Sequence, residues 1–195
     1  MKTTVYLTRH GLTAANKDDV FAGRTEEPLH PEGAIQLAEV GERLAGRGIS
    51  RIFCGPLTRT RQSAAIIGEL LAVSIEAKEA LTEINIPHWD GLSKAAIRTR
   101  FGDEYPTWLA DPAGFCLPGC ETIAEVQKRA AAFLEALFFA YPGQSLLVVS
   151  HLIVIRALHL HVTGRSLADF RAIKVANGQV TTIVRDKLGA NIVEL

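Results

Sequence analysis

The sequence predicts an α/β fold in three layers (α/β/α), with helices on both faces of a mostly parallel central sheet. Several apolar runs end abruptly in polar residues, and most are followed by a segment whose apolar residues recur at helical spacing. The length of 195 residues and the apolar fraction of 48% suit one compact domain with a sizeable core. We therefore expect residues 1–195 to form a single domain of this class.

The first half of the chain alternates between predicted strands and predicted helices. Pro31 suits the first position of a helix, with His30 as its cap, and apolar residues continue at helical spacing until Gly46. A second helix is predicted from about Thr58 to Leu71. The predicted strands around these helices are 4–8, 51–54 and 73–77.

The segment 81–118 is irregular and rich in proline, glycine and aromatic residues. Short helices are predicted within it at 93–100 and 104–109. Long irregular segments in compact domains commonly carry functional loops. We therefore expect 81–118 to be an insertion that covers a substrate site.

The second half of the chain begins with a predicted capping box. Thr122 and Glu125 have the required spacing, and the helix that they open should end before Pro142. The continuous apolar run 146–150 predicts a central buried strand, with His151 at its end where the next helix begins. The last predicted strands are 173–176, 180–185 and 191–195. We expect 180–185 to be an edge strand through which a homodimer could form.

The charge balance excludes several classes of protein. Lysine and arginine number 21, aspartate and glutamate also number 21, and the formal net charge is zero. Nonspecific nucleic-acid binders and polybasic membrane-surface proteins carry a basic excess or basic runs, so we expect neither a nucleic-acid nor a membrane partner. The first residues lack the apolar core of a signal peptide, which favours a cytoplasmic protein. Three cysteines without such a signal favour free thiols.

Basic side chains stand at the ends of three predicted strands. Arg9 and His10 follow the first, Arg59 follows 51–54, and His151 follows 146–150. Because ligands of open α/β sheets bind beyond the carboxyl ends of the strands, these side chains should meet at one edge. Arginine offers paired donors to phosphate oxygens and a neutral imidazole can attack phosphorus, so the cluster suits phosphoryl chemistry. Each residue taken alone could equally be structural.

Such chemistry also needs an acid for the leaving oxygen. Glu83, within 81–118, is the first candidate, and Glu79 and Asp90 are rivals on sequence grounds. A metal site formed by His10, His88 and His151 is a further alternative from the residues alone.

Six motifs occur in order along nearly the whole chain. They are 7–16 (LTRHGLTAAN), Gly23 with 28–33 (PLHPEG), 56–64 (PLTRTRQSA), Glu83 with 89–91 (WDG), 118–122 (PGCET) and 149–151 with 155–156. Together they resemble the histidine phosphatase superfamily, which implies the phosphoglycerate mutase-like fold.

The resemblance implies a role for each member of the cluster. His10 would be the nucleophile that forms a phosphohistidine, and Arg9, Arg59 and His151 would bind the phosphoryl oxygens. Glu83 would protonate the leaving alcohol and then activate water. We further expect a backbone acceptor to hold His10 as the neutral tautomer, and His151 to be cationic.

The resemblance also implies which residues surround the phosphate, and it implies neither a metal nor a cofactor. Thr13, Asn16 and Gly23 would line the entrance to the site. Leu152 stands where the family commonly has glycine or asparagine, so its apolar side chain should narrow the pocket. Lys94, and Arg24 or Arg61, are candidates to contact a second acidic group on the substrate, the alternative for each being a solvated surface charge.

The catalytic core does not separate a phosphatase from a phosphoglycerate mutase. Mutases of this type are usually longer, with adjacent arginines in the insertion, whereas 101–117 contains no lysine or arginine. We therefore expect a metal-independent phosphomonoesterase acting on a small phosphate ester. A mutase, and less so a noncatalytic protein that binds a phosphorylated ligand, are the alternatives.

Overall fold

The computed structural model describes residues 2–193 as a six-stranded sheet, a two-stranded sheet and flanking helices. The strands are β1 (Thr3–Arg9), β2 (Val20–Phe21), β3 (Ile49–Cys54), β4 (Ile75–Ala77), β5 (Leu92–Ser93), β6 (Ser145–Ser150), β7 (Val180–Asp186) and β8 (Gly189–Val193). The large sheet has the order β4-β3-β6-β1-β7-β8. Its first four strands are parallel, and β7 and β8 are antiparallel to their neighbours.

Seven α-helices connect these strands in the described part of the chain. They are α1 (Ala14–Lys17), α2 (Pro31–Leu44), α3 (Thr58–Leu71), α4 (Lys94–Phe101), α5 (Glu104–Ala110), α6 (Ile123–Ala140) and α7 (Leu152–Thr163). The side chain of His30 caps α2 by accepting from the backbone N–H of Glu32. Thr122 and Glu125 form the predicted capping box at the start of α6.

Alternation along the strands divides the core between the two faces of the sheet. Apolar residues of α2 and α3 pack on one face, against side chains such as Ile52 and Leu147. Those of α6 and α7 pack on the other face, against neighbours such as Phe53 and Val148. The predicted three-layer α/β fold with a mostly parallel sheet is therefore confirmed.

The predicted strand at 173–176 is wrong. The preceding residues form a 3₁₀ helix, Leu167–Ala172, and the segment after it pairs with no strand in the described structure. Arginine side chains instead bind its carbonyls: Nε of Arg156 donates to Ile173 O at 2.7 Å, and Nη1 of Arg9 donates to Val175 O at 3.1 Å. These side-chain donors replace the strand partner that the apolar pattern suggested.

The prediction that 180–185 is an edge strand is also wrong. These residues lie within β7, which pairs with β1 on one side and with β8 on the other. The tight turn before Gly189 folds β8 back over the side on which a partner would have to add, so β8 is the edge. The strand 180–185 is therefore not available as the edge through which a homodimer was expected to form.

No helix within 2–193 combines the length and the apolar character that a membrane span requires.

Two contacts fix the loop after β1. Gly11 packs on α2 so closely that a Cβ at this position would lie 2.5 Å from the carbonyl oxygen of Gly33. The backbone N–H of Gly11 donates to Oγ of Ser63 on α3 at 3.2 Å. The loop that begins with His10 is therefore held against two helices of the same layer.

Candidate active site

The three strand ends that carry the predicted site residues are neighbours in the sheet. Strand β6 lies between β1 and β3, with Arg9 opposite Ser150 and Cys54 opposite Val149. The chain leaves β1 into His10, leaves β6 into His151, and leaves β3 into the first turn of α3. The parallel register thus gathers these side chains at one edge.

The imidazole of His10 is buried and oriented by its own loop. Its Nδ1 lies 2.8 Å from the carbonyl oxygen of Gly11, and its backbone N–H donates to Ser150 O at 3.0 Å. Because a carbonyl only accepts, Nδ1 carries the proton and the lone pair is on Nε2. Burial, followed by the charges of Arg9 and Arg59, lowers the pKa of His10 well below its usual range. The expected neutral tautomer held by a backbone acceptor is the one this geometry requires.

His151 lies beside His10 and is fully buried, with ring centroids 5.3 Å apart. Neither of its ring nitrogens has a hydrogen-bond partner among the described residues. A Cβ at Gly55 would lie 3.0 Å from Nε2 of His151, so this glycine makes room for the ring. Burial, together with the charge of Arg59, lowers the pKa of His151 well below its usual range. This direction does not favour the expected cationic form of His151 in the protein by itself.

Two arginines approach the pair of imidazoles. Arg59 is 1% exposed, and its Nη1 and Nη2 donate to Thr25 O at 2.8 Å and to Gly23 O at 2.6 Å. The Nε atoms of Arg59 and Arg9 are buried without a partner within residues 2–193. Burial lowers the pKa of Arg9 to about 10, which leaves its guanidinium charged at neutral pH. Unpaired buried donors are costly, which points to an anionic ligand at this place.

Glu83 is the acidic residue that the fold brings to this group. Its Oε1 accepts from the backbone N–H of Ile84 at 2.9 Å, and its Oε2 lies 3.5 Å from the N–H of Ile153 in the first turn of α7. Burial raises the pKa of Glu83, although these N–H groups and the nearby arginines oppose the shift. Of its two rivals, Glu79 is exposed, and Asp90 accepts from the N–H of Arg24 at 3.1 Å.

A cavity of about 340 Å³ opens over this group, although His151, which is fully buried beside His10, does not itself line it. Among the side chains predicted to contact substrate, Asn16, Gly23, Lys94 and Leu152 line this cavity, as do Arg9, His10, Arg59 and Glu83. Thr13 does not line it, because its buried hydroxyl caps α1. Arg61 is exposed on α3 and does not line it either. Lys94 forms an ion pair with Asp19, which also lines the cavity.

Sequence reasoning missed Asn177 as a site residue. Its Nδ2 donates to His10 O at 3.0 Å, to Gly11 O at 3.2 Å and to Oδ1 of Asn16 at 3.0 Å, and its side chain lines the cavity. The Asn177–Gly178 pair indicated a turn, and that signal concealed the role of the side chain. Asn177 links the loop after β1 to the chain before β7.

His88 does not join the cluster. Its Nε2 lies 2.7 Å from Oε2 of Glu104, its ring packs on Phe101, and it does not line the cavity. Within 2–193, no three His, Cys, Asp or Glu side chains are arranged to hold a metal ion. The three cysteines are free thiols, as the sequence predicted.

The arrangement combines three properties in one buried place. It has a neutral imidazole with a free lone pair, cationic donors without partners, and a carboxyl group whose pKa is raised. These are a nucleophile, a set of anion-binding groups and a proton donor, which together suit transfer of a phosphoryl group.

A family model described as histidine phosphatase superfamily (branch 1) matches residues 5–195 of the chain. This range includes every residue of the cluster described above.

Individual relatives carry the names of phosphatases and of mutases. The chain is 24% identical over 177 residues to "Phosphoserine phosphatase 1" of Hydrogenobacter thermophilus, covering 91% of this chain and 84% of the relative. It is 30% identical over 189 residues to "Probable phosphoglycerate mutase GpmB" of Klebsiella pneumoniae, covering 92% and 83%. Among solved structures, YhfR of Bacillus stearothermophilus superposes with a TM-score of 0.93 at 25% identity, covering 97% of this chain and 95% of that one.

Proposed function

The chain belongs to the histidine phosphatase superfamily, and from this premise we propose that it is a metal-independent phosphomonoesterase that acts through a phosphohistidine on His10. One observation carries the proposal: the buried Nε donors of Arg9 and Arg59 and the ring nitrogens of His151 lack partners within residues 2–193, and these side chains lie around a neutral His10. A phosphoryl group would supply the acceptors that these donors need.

The first step transfers the phosphoryl group to the enzyme. The Nε2 lone pair of His10 forms a bond to phosphorus while the bond between phosphorus and the ester oxygen breaks. Glu83 donates its proton to the departing alkoxide, so an alcohol leaves and Glu83 becomes a carboxylate. The Nδ1–H of His10 keeps its hydrogen bond to Gly11 O throughout, which fixes the ring for attack.

The second step returns the enzyme to its initial state. The Glu83 carboxylate takes a proton from water, whose oxygen forms a bond to phosphorus as the bond to Nε2 of His10 breaks. Inorganic phosphate leaves, and both side chains regain their original protonation. A phosphoryl dianion beside His151 favours the charged imidazole, so His151 is expected to become cationic only when substrate is bound.

The substrate is proposed to be a small phosphorylated metabolite. A cavity of about 340 Å³ admits a compact ester, and Leu152 and Phe21 give it apolar walls beside the phosphate. Lys94 is the proposed contact for a second acidic group on the substrate. Asn16 and Gly23 are proposed to line the entrance, and Thr13 to act by fixing the turn that carries Asn16. Since Arg61 is exposed outside the cavity, we propose no substrate contact for it.

Phosphoglycerate mutase activity is the second candidate, because a relative that is 30% identical carries that name. In a mutase the phosphohistidine passes its phosphoryl group to a second hydroxyl instead of to water. The absence of lysine and arginine from 101–117 favours hydrolysis, because that segment offers no cation for a substrate carboxylate.

The test is a panel of phosphate esters assayed for inorganic phosphate, with and without EDTA, using the wild type and His10→Ala. We expect phosphate release that resists EDTA and disappears in the variant. Acid-labile label from ³²P-ester on the wild type, but not on His10→Ala, would identify the phosphohistidine. Interconversion of phosphoglycerates without phosphate release would favour the mutase. Full turnover by His10→Ala would refute the mechanism, and no turnover of any ester would favour a noncatalytic phosphate-binding protein.

A further inference from the structure

The backbone carbonyl of Glu83 is held by two arginines. Nε of Arg24 donates to Glu83 O at 3.0 Å, and Nη2 of Arg129 approaches the same oxygen at 3.4 Å. Arg129 also donates to Ala80 O at 2.8 Å. The peptide that precedes Ile84 is thus fixed from outside the cavity.

Glu121 holds both of these arginines. Its Oε1 accepts from Nε of Arg129 at 2.7 Å, and its Oε2 accepts from Nη2 of Arg129 at 3.1 Å and from Nη2 of Arg24 at 3.2 Å. Arg129 thus binds both carboxylate oxygens with two of its nitrogens, and this bidentate arrangement is the strongest one for an arginine–carboxylate pair. The side chain of Glu121 is only 14% exposed, so solvent screens these contacts weakly.

Glu121 is also joined directly to the chain beside Glu83, through both its backbone and its side chain. Its N–H donates to Asn85 O at 2.8 Å, and its Oε2 accepts from the N–H of Asn85 at 3.2 Å. Only Ile84 therefore separates Glu83 from a second attachment to Glu121. The carboxylate of Glu83 itself has few fixed partners, namely the N–H groups of Ile84 and Ile153. Its position depends on the backbone that the arginines hold.

The same contacts reach the phosphate-binding arginine. Arg24 lies between Gly23 and Thr25, whose carbonyl oxygens accept from the guanidinium of Arg59. An effect through Arg59 would fall equally on all phosphate esters, so it can be separated from an effect through the peptide of Glu83, which depends on the leaving group.

From these contacts we propose that Glu121 is a positioning residue, which aligns the carboxyl group of Glu83 with the leaving oxygen by holding Arg24 and Arg129 on the carbonyl of Glu83. The inference rests on the proposed function, because it assigns Glu83 the role of proton donor. Glu121 does not line the cavity, so it acts on the reaction only through these neighbours.

The experiment compares kcat/KM for two esters whose leaving groups differ in their need for a proton. An alkyl phosphate needs a proton on its departing oxygen, whereas p-nitrophenyl phosphate releases a stable phenolate without one. We expect Glu121→Ala to lower kcat/KM about 100-fold for the best alkyl phosphate of the panel, because a misplacement of about 1 Å can cost that much. The value for p-nitrophenyl phosphate should change far less. Glu121→Gln, which keeps an acceptor oxygen but not the charge, should fall between the wild type and Glu121→Ala.

A double-mutant cycle tests whether Glu121 acts through Glu83. Once Glu83→Gln has removed the proton donor, adding Glu121→Ala should cause little further loss on the alkyl ester. Additive losses would overturn the proposal, as would equal losses of Glu121→Ala on the two esters. If the wild type hydrolyses neither ester, the proposed phosphatase function itself has failed, which is a different result.

A matched control separates positioning from damage to the fold. Glu125 stands one turn further along and caps α6 through Thr122, without contacting Arg24 or Arg129. Glu125→Ala should lower the melting temperature and leave the ratio of the two kcat/KM values unchanged. If Glu121→Ala does not fold, Arg129→Lys gives the same test, because a lysine cannot fork on Glu121. An unchanged ratio in Arg129→Lys would overturn the proposal.

Discussion

At the scale of single residues, burial in one site favours the neutral form of both the nucleophile His10 and the acid Glu83. Burial disfavours charge, so it lowers the pKa of His10 and raises the pKa of Glu83. The imidazole is thereby kept neutral and the carboxyl group is kept protonated towards higher pH. Both are the forms required for attack on a phosphate ester.

These directions predict the pH profile of kcat/KM for an alkyl phosphate. After correction for ionisation of the substrate, the rate should fall as pH rises through the raised pKa of Glu83. It should not fall on the acidic side until well below the usual range of imidazole, because the pKa of His10 is lowered. Glu83→Gln should remove the alkaline fall and lower kcat/KM by about 10²- to 10⁴-fold. An alkaline fall that persists in Glu83→Gln would assign it to another group.

The position of Lys94 at the cavity predicts that its removal affects KM differently for two classes of substrate. The ammonium group lies at the cavity beside Asp19, and both side chains are partly exposed. We expect Lys94→Met to raise KM about tenfold for phosphate esters that carry a carboxylate, since a charge-assisted hydrogen bond contributes about 1.5–3 kcal/mol before solvent screening reduces it. Esters without a second charge should keep their KM.

Asp19 and Arg61 supply the controls for this prediction. Asp19→Asn releases Lys94 from its ion pair, so it should lower KM for carboxylate-bearing esters. Arg61→Met removes an exposed charge outside the cavity and should leave KM unchanged. Equal increases of KM on both classes of ester in Lys94→Met would mean that Lys94 only shapes the cavity.

At the scale of elements, the sequence predicted what depends on local periodicity. The bounds of α3 were predicted at both ends, and the strand ends that gather Arg9, His10 and His151 follow from apolar runs. Elements that depend on distant partners were not predictable. The strands β2 and β5 have two residues each and exist only because they pair with one another. The contacts of Glu121 join four separate segments, and no spacing along the chain encodes them.

The packing of α2 on the active-site loop gives a prediction at this scale. A Cβ on Gly33 would fall against the carbonyl oxygen of Leu12 and 2.7 Å from its nitrogen, both of which are backbone atoms. The loop that carries His10 must therefore move to accept Gly33→Ala. We expect a loss of about 1–3 kcal/mol in the free energy of unfolding, measured by urea denaturation, together with a lower kcat.

Gly41 on the same helix is the matched control. A Cβ there would lie 2.6 Å from Cδ1 of Leu70, a half-exposed side chain that can turn away. Gly41→Ala should be neutral or stabilise by up to about 1 kcal/mol, because alanine favours a helix, and it should keep full activity. If Gly33→Ala behaves like Gly41→Ala, the loop is not held by this contact.

At the scale of the whole molecule, a formal net charge of zero conceals a concentrated cationic site. Arg59 is buried and Arg9 is partly buried beside two imidazoles, and Glu83 is the carboxyl group that the fold places with them. Folding has to bring these groups together out of water, which is costly without an anion. The protein should therefore be stabilised by phosphate, and its stability should depend on pH through the buried imidazoles.

The sign of that dependence follows from the pKa of His151. In the unfolded chain its imidazole takes up a proton near the ordinary value of 6.5, whereas the folded protein resists protonation because the pKa is lowered. The unfolded state thus binds more protons below pH 6.5, and stability is lost as pH falls. Each such histidine contributes about 1.4 kcal/mol of loss between pH 7.5 and 5.5. The raised pKa of Glu83 acts in the opposite direction, since its contribution is lost as pH rises.

The difference between variants isolates the histidine contribution. Urea denaturation of the wild type and His151→Asn at pH 7.5 and 5.5 should show a smaller loss of stability in the variant, by about 1.4 kcal/mol. His161→Asn, at an exposed position on the same helix, should retain the wild-type loss because its ring is not buried on folding. If His151→Asn and the wild type lose the same stability, His151 does not resist protonation in the fold. In that case His151 would take up its proton near pH 6.5 in the folded protein as well, and its charge below that pH would not depend on the substrate.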